Sequence, residues 1–101
     1  IYPDAHTLLL DIDNEAQFKV FERAFTIFIR EFPETVLLRN TPSSGGLPHR
    51  HIVIWVSFEL TVYSRIAWQG ALGSDPVREL LSCVRALKGD VAPTLLVEAP
   101  L

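Results

Sequence analysis

The sequence predicts an α+β domain in which a four-stranded antiparallel sheet carries both helices on one face. Three observations lead to this fold class: short segments alternate apolar and polar residues, two longer segments repeat apolar residues at helical spacing, and the order is strand, helix, strand, strand, helix, strand. The chain has 101 residues, of which 49% are hydrophobic, so it is long enough to bury one core. We therefore expect a single domain over 1–101.

The first strand and the first helix have clear patterns. Alternation of apolar residues predicts a strand over 6–13. Asn14 can act as the N-cap of the helix that follows, and Pro33 ends that helix. The apolar residues of this helix recur every three or four positions, at Phe18, Phe21, Phe25, Ile29 and Phe32. The helix is therefore expected to pack against the sheet.

The next two strands are predicted to form a hairpin. Apolar and β-branched residues favour strands over 35–41 and 49–59. The sequence between them, Pro-Ser-Ser-Gly-Gly at 42–46, is typical of a flexible connection.

The remaining elements are a helix in two pieces and a last strand. The helix is predicted over 61–71 and breaks near Gly73, after which Ser74-Asp75-Pro76 starts a second piece that ends at about 88. A strand over 94–99 follows. Two split β-α-β units of this kind pack with the strands in the spatial order 4-1-3-2, which is the ferredoxin-like or RRM-like architecture.

Composition limits the classes of function. The formal net charge of −3 argues against a broad nucleic-acid-binding surface, so any contact with nucleic acid is expected to be local. No apolar run approaches the roughly 20 residues of a membrane-spanning helix, and we expect no membrane partner and a cytoplasmic location. The single cysteine, Cys83, excludes an internal disulfide and fits a reducing compartment.

Four polar side chains are predicted to meet at one corner of the sheet. Alternation along the strands places Asp11, Asp13, His49 and His51 on the face that the helices leave open. The first and third strands are antiparallel neighbours in this topology, so the end of one lies beside the start of the other. We therefore expect the four side chains to form one solvent-facing cluster.

This cluster has the chemistry of a metal site and of an acid–base site. Carboxylates suit hard divalent ions such as Mg²⁺ or Mn²⁺, and a histidine can ligate a metal or exchange a proton near neutral pH. We predict Asp11, Asp13 and His51 as metal ligands and all four side chains as catalytic residues. The pattern leaves open that Asp13 and Asn14 are only helix caps, and that the histidines are ordinary solvated residues.

Further residues are predicted to contact a nucleotide or a single-stranded nucleic acid. Arg39 and Thr41 flank the corner from the second strand. Trp55, which is expected on the open face, can stack on unpaired bases. The predicted substrate-binding residues are Arg39, Ser44, Arg50 and Trp55.

Two segments resemble motifs of the archaeo-eukaryotic primase superfamily. The strand Leu8-Leu9-Leu10-Asp11-Ile12-Asp13 is similar to its D-h-D motif, and Ser44-Gly45-Gly46-Leu47-Pro48-His49 to its Ser-x-His motif. The resemblance implies that the two acids bind metal and that the histidine contacts an incoming nucleotide. Val97-Glu98 corresponds to a third motif, a hydrophobic residue followed by an acid. Only the RRM-like half of a primase core fits this length.

A second resemblance is to HUH endonucleases, in which two histidines on a strand hold a metal that polarises the scissile phosphate. It rests on Gly46-Leu47-Pro48-His49-Arg50-His51. The resemblance implies a tyrosine nucleophile. At about 3.3 Å per residue, Tyr63 begins its helix about 25 Å from the histidines, and Tyr2 would have to arrive from a terminus.

The segment Leu72-Gly73-Ser74-Asp75-Pro76-Val77-Arg78-Glu79 is similar to part of small uncharacterised proteins of bacteriophages and archaeal viruses. It is explained as a helix start, with Arg78 and Arg85 on a solvated face. A noncatalytic alternative is a viral or plasmid protein, acting inside a host cell, that forms a homodimer through exposed Val53 and Trp55. The favoured expectation is a primase-like, nucleotide- or nucleic-acid-processing protein.

Overall fold

A computed structural model describes residues 4–42 and 49–89 of the chain. Its elements, in chain order, are β1 (Thr7–Ile12), α1 (Glu15–Glu31), β2 (Val36–Pro42), β3 (Arg50–Trp55), α2 (Val62–Ala71) and α3 (Pro76–Leu87). This order confirms the predicted elements up to the broken second helix, although β3 ends four residues earlier than predicted. The predicted last strand over 94–99 lies outside the described residues.

The strands form a three-stranded antiparallel sheet in the order β1-β3-β2. In the register, Leu10 of β1 and Asn40 of β2 both pair with Ile52 of β3, and the β2 ladder shifts between Leu37 and Arg39. The neighbours predicted for these three strands are therefore confirmed, and the fold is α+β.

The main core lies between one face of the sheet and the helices α1 and α2. Alternate residues of β1 and β3 point into it and are fully buried, as at Leu8, Leu10, Ile52 and Ile54. A group of aromatic rings packs against this core, with neighbouring ring centroids 4.9 to 6.4 Å apart. The group consists of Phe28, Phe32, Phe58 and Trp68. Full burial of each large apolar side chain stabilises the fold by roughly 1.5–3 kcal/mol.

The break between α2 and α3 depends on Gly73. Its φ angle is +94°, and a Cβ atom there would lie 3.0 Å from the backbone nitrogen of Phe21 and 3.1 Å from the carbonyl oxygen of Gln17. Only glycine combines this backbone conformation with so close an approach. The turn is thereby held directly against α1, and Asp75 then caps α3 by accepting a hydrogen bond from the backbone N–H of Arg78.

Over β1 and β3, the second face of the sheet is not open, contrary to the prediction. Leu9 is fully buried, and Val53 and His51 are only 6% and 5% exposed. Alternation along a strand shows which residues share a face, but it does not show whether that face is covered. Two apolar residues on the supposedly open face, Leu9 and Val53, were the available sign that it is buried.

The outer edge of β1 is bonded to side chains of α2 and α3. Arg65 donates to the carbonyl oxygen of Thr7 at 3.0 Å, and the Gln69 side chain accepts from the backbone N–H of Leu9 at 2.9 Å. Arg78 donates to the Leu9 carbonyl at 2.8 Å, and its side chain is only 12% exposed. The predicted solvated position of Arg78 is therefore wrong, whereas Arg85 is exposed as predicted.

Within residues 4–42 and 49–89, no helix combines the length and apolar character needed to cross a bilayer.

Candidate functional site

Pairing of β1 with β3 brings the two predicted acids and the two histidines together. Asp11 and His51 are direct partners in the ladder, with His51 Nε2 3.8 Å from Asp11 Oδ1. Just beyond the ladder, His49 Nδ1 lies 2.6 Å from Asp13 Oδ1. The predicted pairing of the acids with the histidines is therefore confirmed as two pairs, and the chemical roles of the four residues remain predictions. The expectation that all four side chains face solvent is wrong, because His51 is only 5% exposed. We call the four residues the acid–histidine corner.

The inner pair of the corner is Asp11 and His51. His51 is buried and the Asp11 side chain is 32% exposed. Burial raises the pKa of Asp11, and the nearby carboxylates of Asp75 and Asp13 raise it further. The side chains of His51 and Arg78 act in the opposite direction. An ionised Asp11 is therefore costly in this position, and a bound cation would relieve that cost.

The outer pair, Asp13 and His49, is more accessible. The side chain of Asp13 is 53% exposed and that of His49 is 36% exposed. This pair is placed where a ligand in solvent can reach it.

A threonine extends the inner pair across the sheet. Thr41 of β2 is the ladder partner of His51, so the three side chains form a row from β2 through β3 to β1. The Thr41 hydroxyl is buried and has no hydrogen-bond partner among the residues that the structure describes. A buried hydroxyl left in this state costs about 1–3 kcal/mol.

The predicted substrate-binding residues are not all brought to the corner. Arg39 pairs with Val53, two positions along the ladder from the pair of Thr41 and His51. The guanidinium of Arg50 lies 4.8 Å from the ring centroid of Phe18, on the α1 side of the sheet. This follows from alternation, because Arg50 stands between two histidines that point the other way.

Of the two other predicted substrate contacts, only Trp55 belongs to the described residues. Trp55 lies at the opposite end of β3 and stacks on His6, with ring centroids 5.8 Å apart. Ser44 lies outside the described residues, as do Tyr2 and the predicted motif Val97-Glu98.

The donor set decides what kind of metal site the corner can provide. Among the described residues, no group of three or more His, Cys, Asp or Glu side chains is close enough to hold a metal ion. The corner does provide two carboxylates two residues apart, and Asp13 is near enough to influence the charge of Asp11. Mg²⁺ commonly binds to one or two carboxylates and completes its shell with water and substrate phosphates. In such an arrangement, Asp11 and Asp13 are the residues that would supply the two carboxylates.

The sequence reasoning missed a buried polar network next to the corner. The carboxylate of Glu79 accepts hydrogen bonds from Gln69 Nε2 at 2.9 Å, from the Ser74 hydroxyl at 2.6 Å and from Arg78 Nη1 at 2.5 Å. Ser74 also accepts from the backbone N–H of Asp11 at 3.0 Å. The available signal was the concentration of polar residues around the helix start at 74–79, beyond what one N-cap requires.

Comparison with protein-family models, with curated proteins and with solved structures gave no match. The described residues form an α+β fold with a three-stranded antiparallel sheet and three helices.

Proposed function

We propose that the acid–histidine corner binds the phosphate groups of a nucleotide or of a single-stranded nucleic acid through a divalent cation, Mg²⁺ or Mn²⁺. The observation that carries this proposal is the β1–β3 register, which joins Asp11 to His51 and Asp13 to His49 from segments that are far apart in the chain. The primase-like hypothesis is retained because it gives both acids a role.

Charge is the first reason for a cation at this site. Two carboxylates close together repel a phosphate group, so phosphate can approach the corner only when a positive charge compensates them. Asp11 and Asp13 are the residues that would hold the ion. A divalent cation bound there neutralises phosphate charge and polarises the phosphorus–oxygen bonds.

The two histidines have different proposed tasks. His49 is accessible, so it can contact a phosphate oxygen or relay a proton between the ligand and Asp13. His51 is buried beside Asp11, and it restricts the orientation of that carboxylate. The earlier assignment of His51 as a metal ligand stays a prediction.

The ferredoxin-like architecture, with a fourth strand beside β1, is part of the proposal. Its support is the order of the elements and the neighbours β1-β3-β2. The bonding of the outer edge of β1 opposes the fourth strand: to pair with β1, it would have to displace the hydrogen bonds that α2, α3 and the turn between them make to backbone groups of Thr7, Leu9 and Asp11.

The HUH-type alternative has weaker support. Nδ1 of His49 is hydrogen-bonded to Asp13, and Tyr63 lies on α2, beyond the far end of β3. The described residues therefore bring no tyrosine to the histidines.

A thermal unfolding experiment tests the proposal. With Mn²⁺ and a nucleoside triphosphate together at a hundredfold excess over the dissociation constant, we expect stabilisation of about 2.7 kcal/mol. Mn²⁺ alone should stabilise the chain much less, because phosphate completes the site. The double substitution Asp11→Asn/Asp13→Asn should remove the response, and Glu59→Gln, which changes an exposed carboxylate elsewhere, should keep it. A full response in the double variant would exclude the corner.

One observation favours a second candidate, the noncatalytic interaction domain. Val53 is buried, so the prediction that this residue is exposed on a dimer-forming face of the sheet is wrong. The apolar side of α3 is exposed instead, at Val77, Leu80, Leu81, Val84 and Leu87. If a second copy of the chain binds there, Leu80→Lys should lower the mass measured by sedimentation velocity, whereas Trp55→Ala should not.

A further inference from the structure

The turn between α2 and α3 holds the backbone on both sides of the Asp11 side chain. The N–H of Asp11 donates to the Ser74 hydroxyl at 3.0 Å, and the carbonyl oxygen of Asp11 accepts from the N–H of Asp75 at 2.6 Å. These two bonds fix the position from which the Asp11 carboxylate extends.

The same turn reaches Asp13 through Gln17. The backbone N–H of Asp13 donates to Gln17 Oε1 at 2.7 Å, and Gln17 Nε2 donates to Asp75 Oδ1 at 3.2 Å. Asp75 is therefore connected to both acids of the corner, directly to Asp11 and through one side chain to Asp13.

Glu79 anchors the turn to the strand. It is 6% exposed, and its two oxygens accept from Gln69, Ser74 and Arg78. Gln69 and Arg78 in turn bond the N–H and the carbonyl oxygen of Leu9. The turn is thus bonded to β1 at Leu9 and Asp11, through backbone groups on the outer edge of the strand.

We propose that residues 73–79, together with Gln17, are a positioning element for the two carboxylates of the corner. The inference rests on the proposed function, and it assigns these residues no contact with the ligand. A site built on two carboxylates has few bonds to its cation, so its affinity depends on how well those carboxylates are held in place beforehand. Loss of groups that orient metal ligands typically reduces metal affinity by about 10- to 100-fold.

Ser74 and Ser82 provide a matched pair of substitutions. Both hydroxyls are buried, but only that of Ser74 is bonded to Asp11 and Glu79, whereas that of Ser82, on α3, has no hydrogen-bond partner within residues 4–42 and 49–89. Ser74→Ala should weaken Mn²⁺ binding in the presence of ATP by about tenfold or more. Ser82→Ala should leave it unchanged.

A second variant covers the case in which Ser74→Ala does not fold. Gln17→Ala changes a half-buried side chain in the first turn of α1 and should fold, while it removes the support of Asp13. We expect it to reduce Mn²⁺ affinity by a similar factor. Affinity is measured by water proton relaxation at a temperature where every variant is fully folded, so that a mere loss of stability does not change the result.

The outcomes separate this inference from the proposed function. If the wild-type protein binds no Mn²⁺ with ATP, the proposed function is wrong and the positioning role falls with it. If the wild type binds and both Gln17→Ala and Ser74→Ala bind equally well, the positioning role alone is wrong. A loss in Ser82→Ala as large as that in Ser74→Ala would also contradict it.

Discussion

Among single residues, Asp11 has the clearest physical signature of the candidate site. Burial raises the pKa of its carboxyl, although His51 and Arg78 act in the opposite direction. The ionised side chain has lost solvent that its neighbours do not fully replace. Ionised Asp11 therefore lowers the stability of the fold at neutral pH, which is expected of a residue placed for binding rather than for folding.

Asp11→Asn should raise the free energy of unfolding at neutral pH while it removes cation binding. Because the pKa of Asp11 in the folded protein lies above the ordinary 3.8, the folded protein binds more protons than the unfolded chain between those two values. The free energy of unfolding of the wild type therefore contains a contribution that falls as the pH rises through this window. Urea unfolding from acidic to neutral pH should show this contribution in the wild type and not in Asp11→Asn.

Asp4, which precedes β1, is a control because its pKa is shifted in the opposite direction to that of Asp11. Its carboxylate accepts from the Thr7 hydroxyl at 2.6 Å and from the backbone N–H of His6 at 2.8 Å, and these bonds lower the pKa of Asp4. Its contribution to stability is present above the ordinary pKa and is lost as the pH falls through the lowered one. Asp4→Asn should therefore reduce stability at neutral pH. If Asp11→Asn reduced it as well, burial would not be the dominant influence on Asp11.

At the scale of elements, the turn between α2 and α3 requires glycine at position 73. Gly73→Ala should lower the free energy of unfolding by more than about 2 kcal/mol, because alanine meets both a left-handed backbone and the backbone of α1. Gly89→Ala is the control: its φ angle is +83°, but apart from its chain neighbours no atom of the described residues lies within 4 Å of the added Cβ. It should lose only about 1–2 kcal/mol. Equal losses in urea unfolding would show that the contact with α1 is unimportant.

The elements themselves were predictable because their periodicities are strong. The helix α1 starts at the predicted cap, where the Asn14 side chain accepts from the backbone N–H of Gln17. The turn at Gly73 was also predicted, and the approach of α1 explains why it is sharp. The face that α3 turns inward was not predicted. The apolar residues of α3 are exposed, whereas polar Glu79 is buried. The polar side of α3 packs inward because the backbone groups on the outer edge of β1 require hydrogen-bond partners, which apolar side chains cannot provide.

The candidate site was predictable as far as strand pairing determines it. An antiparallel neighbour places His51 beside Asp11 whatever surrounds them. The support from Ser74 was not predictable, because it depends on a turn that packs against β1 from elsewhere in the chain. The burial of His51 was not predictable either, because alternation does not show whether a face is covered. Local sequence patterns contain no information about such contacts.

At the scale of the whole molecule, charge determines how a phosphate ligand can be held. The chain has 12 acidic and 9 basic residues. Arg50 stacks on Phe18 on the far side of the sheet, and Arg78 is bonded to Glu79. Under the proposed function, the acid–histidine corner would therefore attract phosphate through a divalent cation rather than through a basic surface.

The salt dependence of oligonucleotide binding tests this conclusion. Binding of a short single-stranded oligonucleotide should require Mn²⁺ or Mg²⁺ and should change little with monovalent salt. For single strands, the slope of log K against log salt concentration is about −0.7 for each phosphate neutralised, so a site that touches one or two phosphates gives a slope of about −1. Fluorescence anisotropy at fixed free Mn²⁺ measures this slope, and Asp11→Asn/Asp13→Asn should abolish binding at every salt concentration. A slope steeper than about −3, or binding that survives a chelator, would place the contact on a basic surface away from the acid–histidine corner.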